Sequence, residues 1–400
     1  MIPDPNSETL SFIKEHIHDD LVKLSFKKNN NPNIDYSFAI QQIGARQKAK
    51  SKLPEWIQNF DLIFPSSISV EQCSSQQSAQ FKSSLFSGDH LIDLSAGFGV
   101  DGLYLASQFN KVTLVEPRED LCKILEHNIR TLEFSHIQVI QSSAIPFLES
   151  FQKNDTGKIT FYIDPDRRGR QGEKLVKITD CEPNILEIKD LLYDLADQII
   201  IKLSPMLDIK KLIQTIPEIK EIIIIGVQNE CKEILAIIDP KNNMNDDLLI
   251  KAVQLKPESN ITFEFLYSEE QKVVPQMAKE IQKYVYEPNP SIMKSGGFKM
   301  VSSRFNIDKI DYHSHLYTSD QYIEHFPGRC FQVIDIFGFT KKEIDHKIEK
   351  GGFYNLSTRN FPIDTDQLRK QLKIKEGGEK FLFGTTMNQK HLLILCHKCN

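Results

Sequence analysis

The sequence predicts an α/β fold: an open, mostly parallel sheet with helices between its strands, preceded by a helical region and followed by small α+β units. Three segments carry that prediction. His90-Leu-Ile-Asp-Leu-Ser-Ala-Gly-Phe-Gly-Val-Asp-Gly102 is an apolar run, an acid and a pair of glycines, the pattern of a strand that turns sharply into a helix. Lys111-Val-Thr-Leu-Val115 is a second strand, ending in Glu116. Ile159-Thr-Phe-Tyr-Ile163, rich in β-branched and aromatic residues, is a third and runs into Asp164-Pro-Asp-Arg-Arg-Gly-Arg170. Helical segments separate the three, so the order is βαβα with an acid at every carboxyl end, where open α/β sheets bind their ligands.

Gly97-Phe-Gly-Val-Asp-Gly102 also satisfies GxGxxG, the dinucleotide fingerprint. In that motif the glycines follow the strand directly and the turn receives a pyrophosphate. Here Asp93-Leu-Ser-Ala96 intervenes, and an acid at that point repels a pyrophosphate but suits an ammonium group. Asp93, Gly97 and Gly99 resemble the first motif of class I S-adenosylmethionine (SAM) methyltransferases. There the glycines admit backbone to the cofactor, and a helix starting near Val100 offers N–H groups to the methionine carboxylate. Glu116 suits a pair of ribose hydroxyls, which both cofactors possess. Asp164-Pro is similar to the Asp/Asn-Pro-Pro-aromatic turn of methyltransferases acting on exocyclic or ring nitrogens, with Asp164 as the candidate catalytic residue. Asp166 replaces the second proline and Arg167 the aromatic, so the usual stacking platform is missing. Arg167, Arg168 and Arg170 are candidate phosphate contacts. Taken singly, each acid reads equally as a cap or a solvated strand end, and each glycine as an ordinary turn residue; the order of the three segments favours the ligand site.

Four hundred residues suggest two or three domains. A formal charge of -5 argues against a protein that coats nucleic acid and leaves room only for a local basic face. Met1-Ile-Pro-Asp-Pro-Asn-Ser7 has no basic segment followed by an apolar core, so neither a signal nor a transit peptide is expected. The aliphatic run Ile222–Val227 is too short to span a bilayer, so no membrane partner is expected. Seven cysteines without framework spacing predict a reducing, cytoplasmic location. Cys396-His-Lys-Cys399 lacks a second pair, which favours a frayed tail over zinc, and no metal site is expected.

Along the chain, residues 5–85 read as mostly helical. Arg46-Gln-Lys-Ala-Lys-Ser-Lys-Leu-Pro54 reads as a solvated helix face or a contact for phosphates. Glu71 to Lys82 is a capped helix with Ser75 at its N-cap. In class I enzymes the segment before the first strand folds over the cofactor, which makes Gln72 and Ser75 secondary cofactor candidates. Residues 183–195 are helical, and 198–203 and 219–227 are strands. Residues 231–238 fit a helix or a hairpin strand, and 249–255 a strand. Residues 286–297 form a loop by their prolines and paired glycines. Beyond 327, strands at 329–336, 353–357 and 392–396 alternate with helices at 341–349 and 365–372. Basic side chains cluster there at Arg329, Lys341, Lys342, Arg359, Arg369, Lys370, Lys373 and Lys375.

The chain resembles a bacterial family of class I SAM-dependent methyltransferases with a C-terminal THUMP-like domain. The resemblance rests on Gln42-Ile-Gly-Ala-Arg-Gln-Lys-Ala-Lys50, Glu71-Gln-Cys-Ser-Ser75, Asp93–Gly99, Asp164-Pro-Asp-Arg-Arg168, Glu287-Pro-Asn-Pro-Ser-Ile-Met-Lys294 and Ser357-Thr-Arg-Asn-Phe-Pro362. It implies an N-terminal helical region at 1–85, a Rossmann-like methyltransferase core at 86–270, a ferredoxin-like connector at 275–318 and a THUMP-like domain at 325–400. It also implies SAM as cofactor and structured RNA as partner; nitrogen is the favoured acceptor, and Arg359 and Lys373, from the basic cluster beyond 327, are the candidate RNA contacts. Where class I enzymes often place an acid for adenine after the third strand, this chain has Ser142-Ser-Ala144, which leaves that contact to backbone. Two alternatives stay open: an RNA-binding protein with a degenerate core, and a methyltransferase acting on a small molecule or protein.

Overall fold

The computed structural model describes residues 5–27, 31–153, 157–167, 178–241 and 247–399. The chain forms two compact units, Met1–Lys220 with Ile234–Asn245, and Glu221–Glu233 with Asp246–Asn400.

The first unit opens with helices α1 (Ser7–His16), α2 (Leu21–Ser25) and α3 (Tyr36–Ala49). Asn6, Asp20 and Asp35 cap them, each side chain accepting backbone N–H bonds that the first turn leaves open. Ile13, Leu24, Ala39 and Ile43 form their shared core. The basic run at the end of α3 is neither a solvated face nor a phosphate contact throughout. Arg46 is 2% exposed. Its guanidinium donates to the carbonyls of Ile57 (3.2 Å), Asn59 (3.2 Å), Phe60 (3.2 Å) and Leu62 (2.7 Å), and lies over the rings of Phe60 and Phe64. A fixed planar fork of donors suits such a loop clamp. Lys52 donates to the carbonyls of Val70, Glu71 and Cys73 at the end of α4 (Ser67–Gln72). Lys48 and Lys50 face solvent, Lys48 paired with Glu71.

Helix α5 (Gln76–Leu85) leads into β1 (Gly88–Asp93), α6 (Val100–Leu105), β2 (Phe109–Glu116), α7 (Glu119–Thr131), β3 (Ile137–Gln141), α8 (Ala144–Ser150) and β4 (Ile159–Ile163). A short ladder of β5 (Asp166–Arg167) and β6 (Cys181–Glu182) follows, then α9 (Ile185–Leu195), β7 (Gln198–Leu203), α10 (Ile209–Thr215), β8 (Ile219–Val227) and β9 (Glu230–Ile238). Within this unit the strands pair in the order β3-β2-β1-β4-β7-β9, parallel except for β9 against β7. Every residue of β4 is buried, as a sheet covered on both faces by helices requires. The strand order reverses at β1, and the register sets Asp93 beside Leu114 and Tyr162. Glu116 and Asp164 each lie two residues beyond those partners, so the three acids share one sheet edge at the switch point.

In the second unit, Gln228 and Asn229 (φ +50° and +61°) make the two-residue turn into β9, which settles residues 231–238 as a hairpin strand. Strand β10 (Leu249–Leu255) pairs parallel with β8 and antiparallel with β11 (Ile261–Leu266). After α11 (Tyr267–Lys272) come β12 (Tyr284–Pro288), α12 (Pro290–Ser295), α13 (Phe298–Phe305), β13 (Asp308–Lys309) and β14 (Tyr317–Ser319). They are followed by β15 (Gly328–Gly338), α14 (Lys341–Lys347), β16 (Asn355–Arg359), α15 (Thr365–Leu372), β17 (Lys380–Met387) and β18 (Lys390–Lys398). These strands form one sheet in the order β13-β14-β12-β15-β18-β17-β16. Thr340 and Asp364 cap α14 and α15. Leu356, Leu368, Leu382 and Leu393 anchor one core cluster, and Val285, Leu316, Phe331, Phe383 and Ile394 another. The chain's last segment is not frayed: Cys396 is buried in β18, and Cys399 donates its N–H to the Cys330 carbonyl, the two Sγ atoms 3.2 Å apart.

Candidate functional site

The carboxyl ends of β1, β2, β4 and β7 open on a cleft of about 970 Å³ in the first unit, within the range of small-molecule sites. Asp93, Gly97, Gly99, Glu116, Asp164 and Gln72 all line it. Ser75 does not; its side chain caps α5 by accepting the Ser78 N–H.

After β1 the chain makes a turn that two glycines permit. Gly97 has φ +54° and Gly99 φ +80°, in the left-handed region where a Cβ is strained. Their surroundings differ. A Cβ on Gly99 would strike Leu125 at 2.3 Å, whereas one on Gly97 would meet only the Ser95 carbonyl at 3.8 Å. Gly99 is thus required by packing, and Gly97 leaves open space on the cleft side. Gly102 serves helix–sheet packing, since its Cβ would lie 2.5 Å from Leu114.

The three acids keep acceptor capacity. Glu116 Oε2 accepts the Gly97 N–H at 2.9 Å and Oε1 the Arg118 N–H at 2.9 Å. Each oxygen therefore retains a lone pair. Burial raises the Glu116 pKa, against these two N–H groups. Asp93 Oδ1 accepts from the N–H (2.9 Å) and hydroxyl (3.3 Å) of Ser95, and burial beside Asp101 and Asp164 raises its carboxyl to about 7. The Asp164 N–H donates to the same Ser95 hydroxyl at 2.7 Å. Burial raises the Asp164 carboxyl above its ordinary value, and the Lys202 ammonium offsets only part of that rise. Asp164 keeps 38% of its side chain exposed.

Four further residues at the floor of the cleft, Ser74, Asp101, Tyr162 and Lys202, and Lys82 buried beneath them escape a reading of the sequence. Lys82 lies 2.7 Å from Asp101, which also accepts from Ser74 (2.8 Å) and Tyr162 (2.9 Å). Lys202 reaches Ser74 (2.9 Å), Asp101 (3.1 Å) and Asp164 (2.5 Å). Against its burial, the ammonium groups of Lys202 and Lys82 hold the Asp101 carboxyl well below the usual range. The available signals were slight: a lysine closing the isoleucine run of β7, and another on the buried face of α5 beside Ala79.

On the Glu116 side the cleft is walled by Pro117, Leu121, Ala144 and Ile145, with Ser143 at the start of α8. Arg168 and Arg170 lie outside the described residues; Arg167 is placed in β5 by its backbone only. In the second unit Arg359 pairs with Glu287 at 2.6 Å, and Lys373 is exposed just past α15. Among the described residues no group of three or more His, Cys, Asp or Glu side chains is placed to hold a metal ion, and no helix is long and apolar enough to cross a membrane.

Comparison with known proteins bears on the whole chain. Residues 284–327 match a ferredoxin-like domain model and residues 328–398 a THUMP domain-like model. No curated protein matches the chain by sequence. Among solved structures, the putative methyltransferase of Porphyromonas gingivalis W83 is 29% identical, with a TM-score of 0.86, over 100% of both chains. A Streptococcus mutans putative methyltransferase in complex with SAH aligns with 40% of this chain and 94% of its own, at 14% identity and TM-score 0.29. M. capricolum TrmK, also with SAH, aligns with 41% of this chain and 68% of its own, at 14% identity and TM-score 0.32. The chain thus carries a Rossmann-like α/β sheet followed in sequence by a THUMP-like domain at 328–398, and over its full length it is similar to the putative methyltransferase of Porphyromonas gingivalis.

Proposed function

We propose that this protein is a SAM-dependent methyltransferase whose substrate is structured RNA, with a nitrogen as the favoured acceptor. The observation that carries the reading is the trio Asp93, Glu116 and Asp164 at the ends of three adjacent parallel strands, all lining one cleft. The residues suit the cofactor. Glu116 has a lone pair on each oxygen for the two ribose hydroxyls. Gly97 leaves room for close approach, Asp93 is an acid for the methionine ammonium, and the wall of Pro117, Leu121, Ala144 and Ile145 suits an adenine ring. The backbone of Ser143 to Ile145 then supplies the adenine's polar contacts in place of the missing acid. Gln72 borders the same cleft.

When bound, SAM supplies a methyl group already activated by its sulfonium. The protein's part is alignment, which is worth many orders of magnitude when reacting groups are held at contact distance. Asp164 is the residue that orients the acceptor. The THUMP-like domain supports RNA as the substrate, since THUMP domains belong to RNA-modifying enzymes; this is an argument from fold. Arg167, Arg168, Arg170 and Lys373 are the candidate phosphate contacts, and Arg359 a weaker one because Glu287 already holds its charge.

Calorimetry with SAM, SAH and NAD tests the cofactor, and methyl-labelled SAM with total RNA, followed by nucleoside mass spectrometry, tests the substrate. The reading expects SAM or SAH to bind and label to enter RNA. Micromolar NAD binding with none of SAM would overturn the cofactor assignment, and label confined to protein or small molecules would overturn the RNA assignment.

A further inference from the structure

Beneath Asp164 lies an ionic cluster that the roles above leave unused. An ammonium group has three N–H donors. Those of Lys202 meet Ser74 Oγ at 2.9 Å, Asp101 Oδ2 at 3.1 Å and Asp164 Oδ2 at 2.5 Å. The acceptors are themselves held, Asp101 by Lys82, Ser74 and Tyr162, so the position of Lys202 is fixed from several sides. Lys202 itself borders the cleft beside Asp164, with its side chain 11% exposed. Asp164 Oδ2 takes Lys202, Asp164 lines the cleft, and among the described residues no hydrogen bond reaches its Oδ1.

We propose that Lys202 is a positioning residue: it keeps Asp164 an ionised, acceptor-only carboxylate with Oδ1 toward the cleft, so that the site takes a nucleophile bringing its own hydrogen, an amino or amide nitrogen. The proposal rests on the methyltransferase reading only in calling that nucleophile the methyl acceptor. Among the described residues the charged groups facing Asp164 are Lys202 from β7, Asp101 from α6, Lys82 from α5 and Asp93 from β1. Lys82 is already matched by Asp101. Without Lys202, burial and the two neighbouring acids would raise the Asp164 carboxyl further. A protonated Asp164 would donate on that oxygen and could no longer accept the hydrogen of such a nitrogen there.

The test reads the Asp164 carboxyl directly, by carbon-13 NMR titration of the full-length protein, assigned with D164N. In K202Q the amide keeps the length and loses the charge, and the Asp164 midpoint is expected to rise by about 1 to 3 pH units. K202R is expected to restore it. SAM affinity in K202Q is expected to stay within a few fold of wild type. An unmoved midpoint in folded K202Q overturns the positioning role. Wild-type protein supplies a second measurement that no folding defect can blur: the nucleoside it methylates in total RNA should carry the methyl on a nitrogen that had borne hydrogen. A methyl on carbon or on a hydrogen-free ring nitrogen overturns the substrate class. Failure of wild type to bind SAM would instead defeat the methyltransferase reading and leave the titration standing.

Discussion

In the cleft, Glu116 and Asp93 are buried carboxylates that, among the described residues, accept only local hydrogen bonds, two from backbone N–H groups to Glu116 and two from Ser95 to Asp93. In the seven-stranded sheet, Glu287 is equally buried but is gripped by Arg329, whose Nε lies at 2.9 Å, and by Arg359 at 2.6 Å. Arg369 is likewise held by Asp366 and Glu376. The difference separates two uses of buried charge. A carboxylate saturated by guanidinium groups ties strands together, because removing one partner strands the other. A carboxylate left with free lone pairs and a raised pKa is costly to the fold and marks a candidate ligand site.

The sharpest test of that contrast is Glu287→Ala, which leaves two arginines without their shared counter-ion. We expect a loss of about 2 to 4 kcal/mol in denaturant unfolding, moderated because both guanidinium groups keep some exposure. SAM affinity should not change; a stable Glu287→Ala protein would end the structural reading of that cluster. Glu116→Ala should do the reverse. Its unfolding midpoint should hold, while SAM affinity in calorimetry weakens by about 1 to 3 kcal/mol, the cost of lost hydrogen bonds to a charged group.

Asp93 gives a smaller, pH-dependent effect. Burial raises its folded carboxyl to about 7, well above the ordinary value of about 3.9 in the unfolded chain. The folded state therefore holds that proton more tightly. Its contribution to stability is complete below the unfolded value and declines as pH rises through about 7. Between about pH 6 and pH 8, wild type without cofactor should lose about 1 kcal/mol that Asp93→Asn retains, measured as paired denaturation curves. Equal slopes in the two proteins would mean that Asp93 does not titrate there. The smallest effect distinguishes Lys373 from Arg359. Lys373→Gln should flatten the salt dependence of RNA binding by about one phosphate contact, and Arg359→Gln by less, because Glu287 already holds that charge. Equal slopes would break the comparison at its weakest joint.

The sheet edge was legible because strand ends are dictated locally. An apolar run must stop, and the acid that stops it has nowhere to sit but the carboxyl end, which places Asp93, Glu116 and Asp164 from sequence alone. The floor of the cleft was not legible: Lys202 meets Asp101 across about a hundred positions, and no local pattern encodes that meeting. Charge runs misled for the same reason. Arg46 looks like its lysine neighbours until four loop carbonyls close on it. In β17, Gly384 fits beneath Phe361 and Leu368, and the pair Thr385-Thr386 blurs the strand period, so that strand gave no clear alternation to read.

Ser95 has a consequence for spacing. Its hydroxyl carries one hydrogen, given to Asp93, and receives the Asp164 N–H. One side chain therefore splices the turn after β1 to the turn after β4. A shift of either turn has to be answered at the other, so the two acids hold their spacing as a unit, with a single oxygen as the rivet.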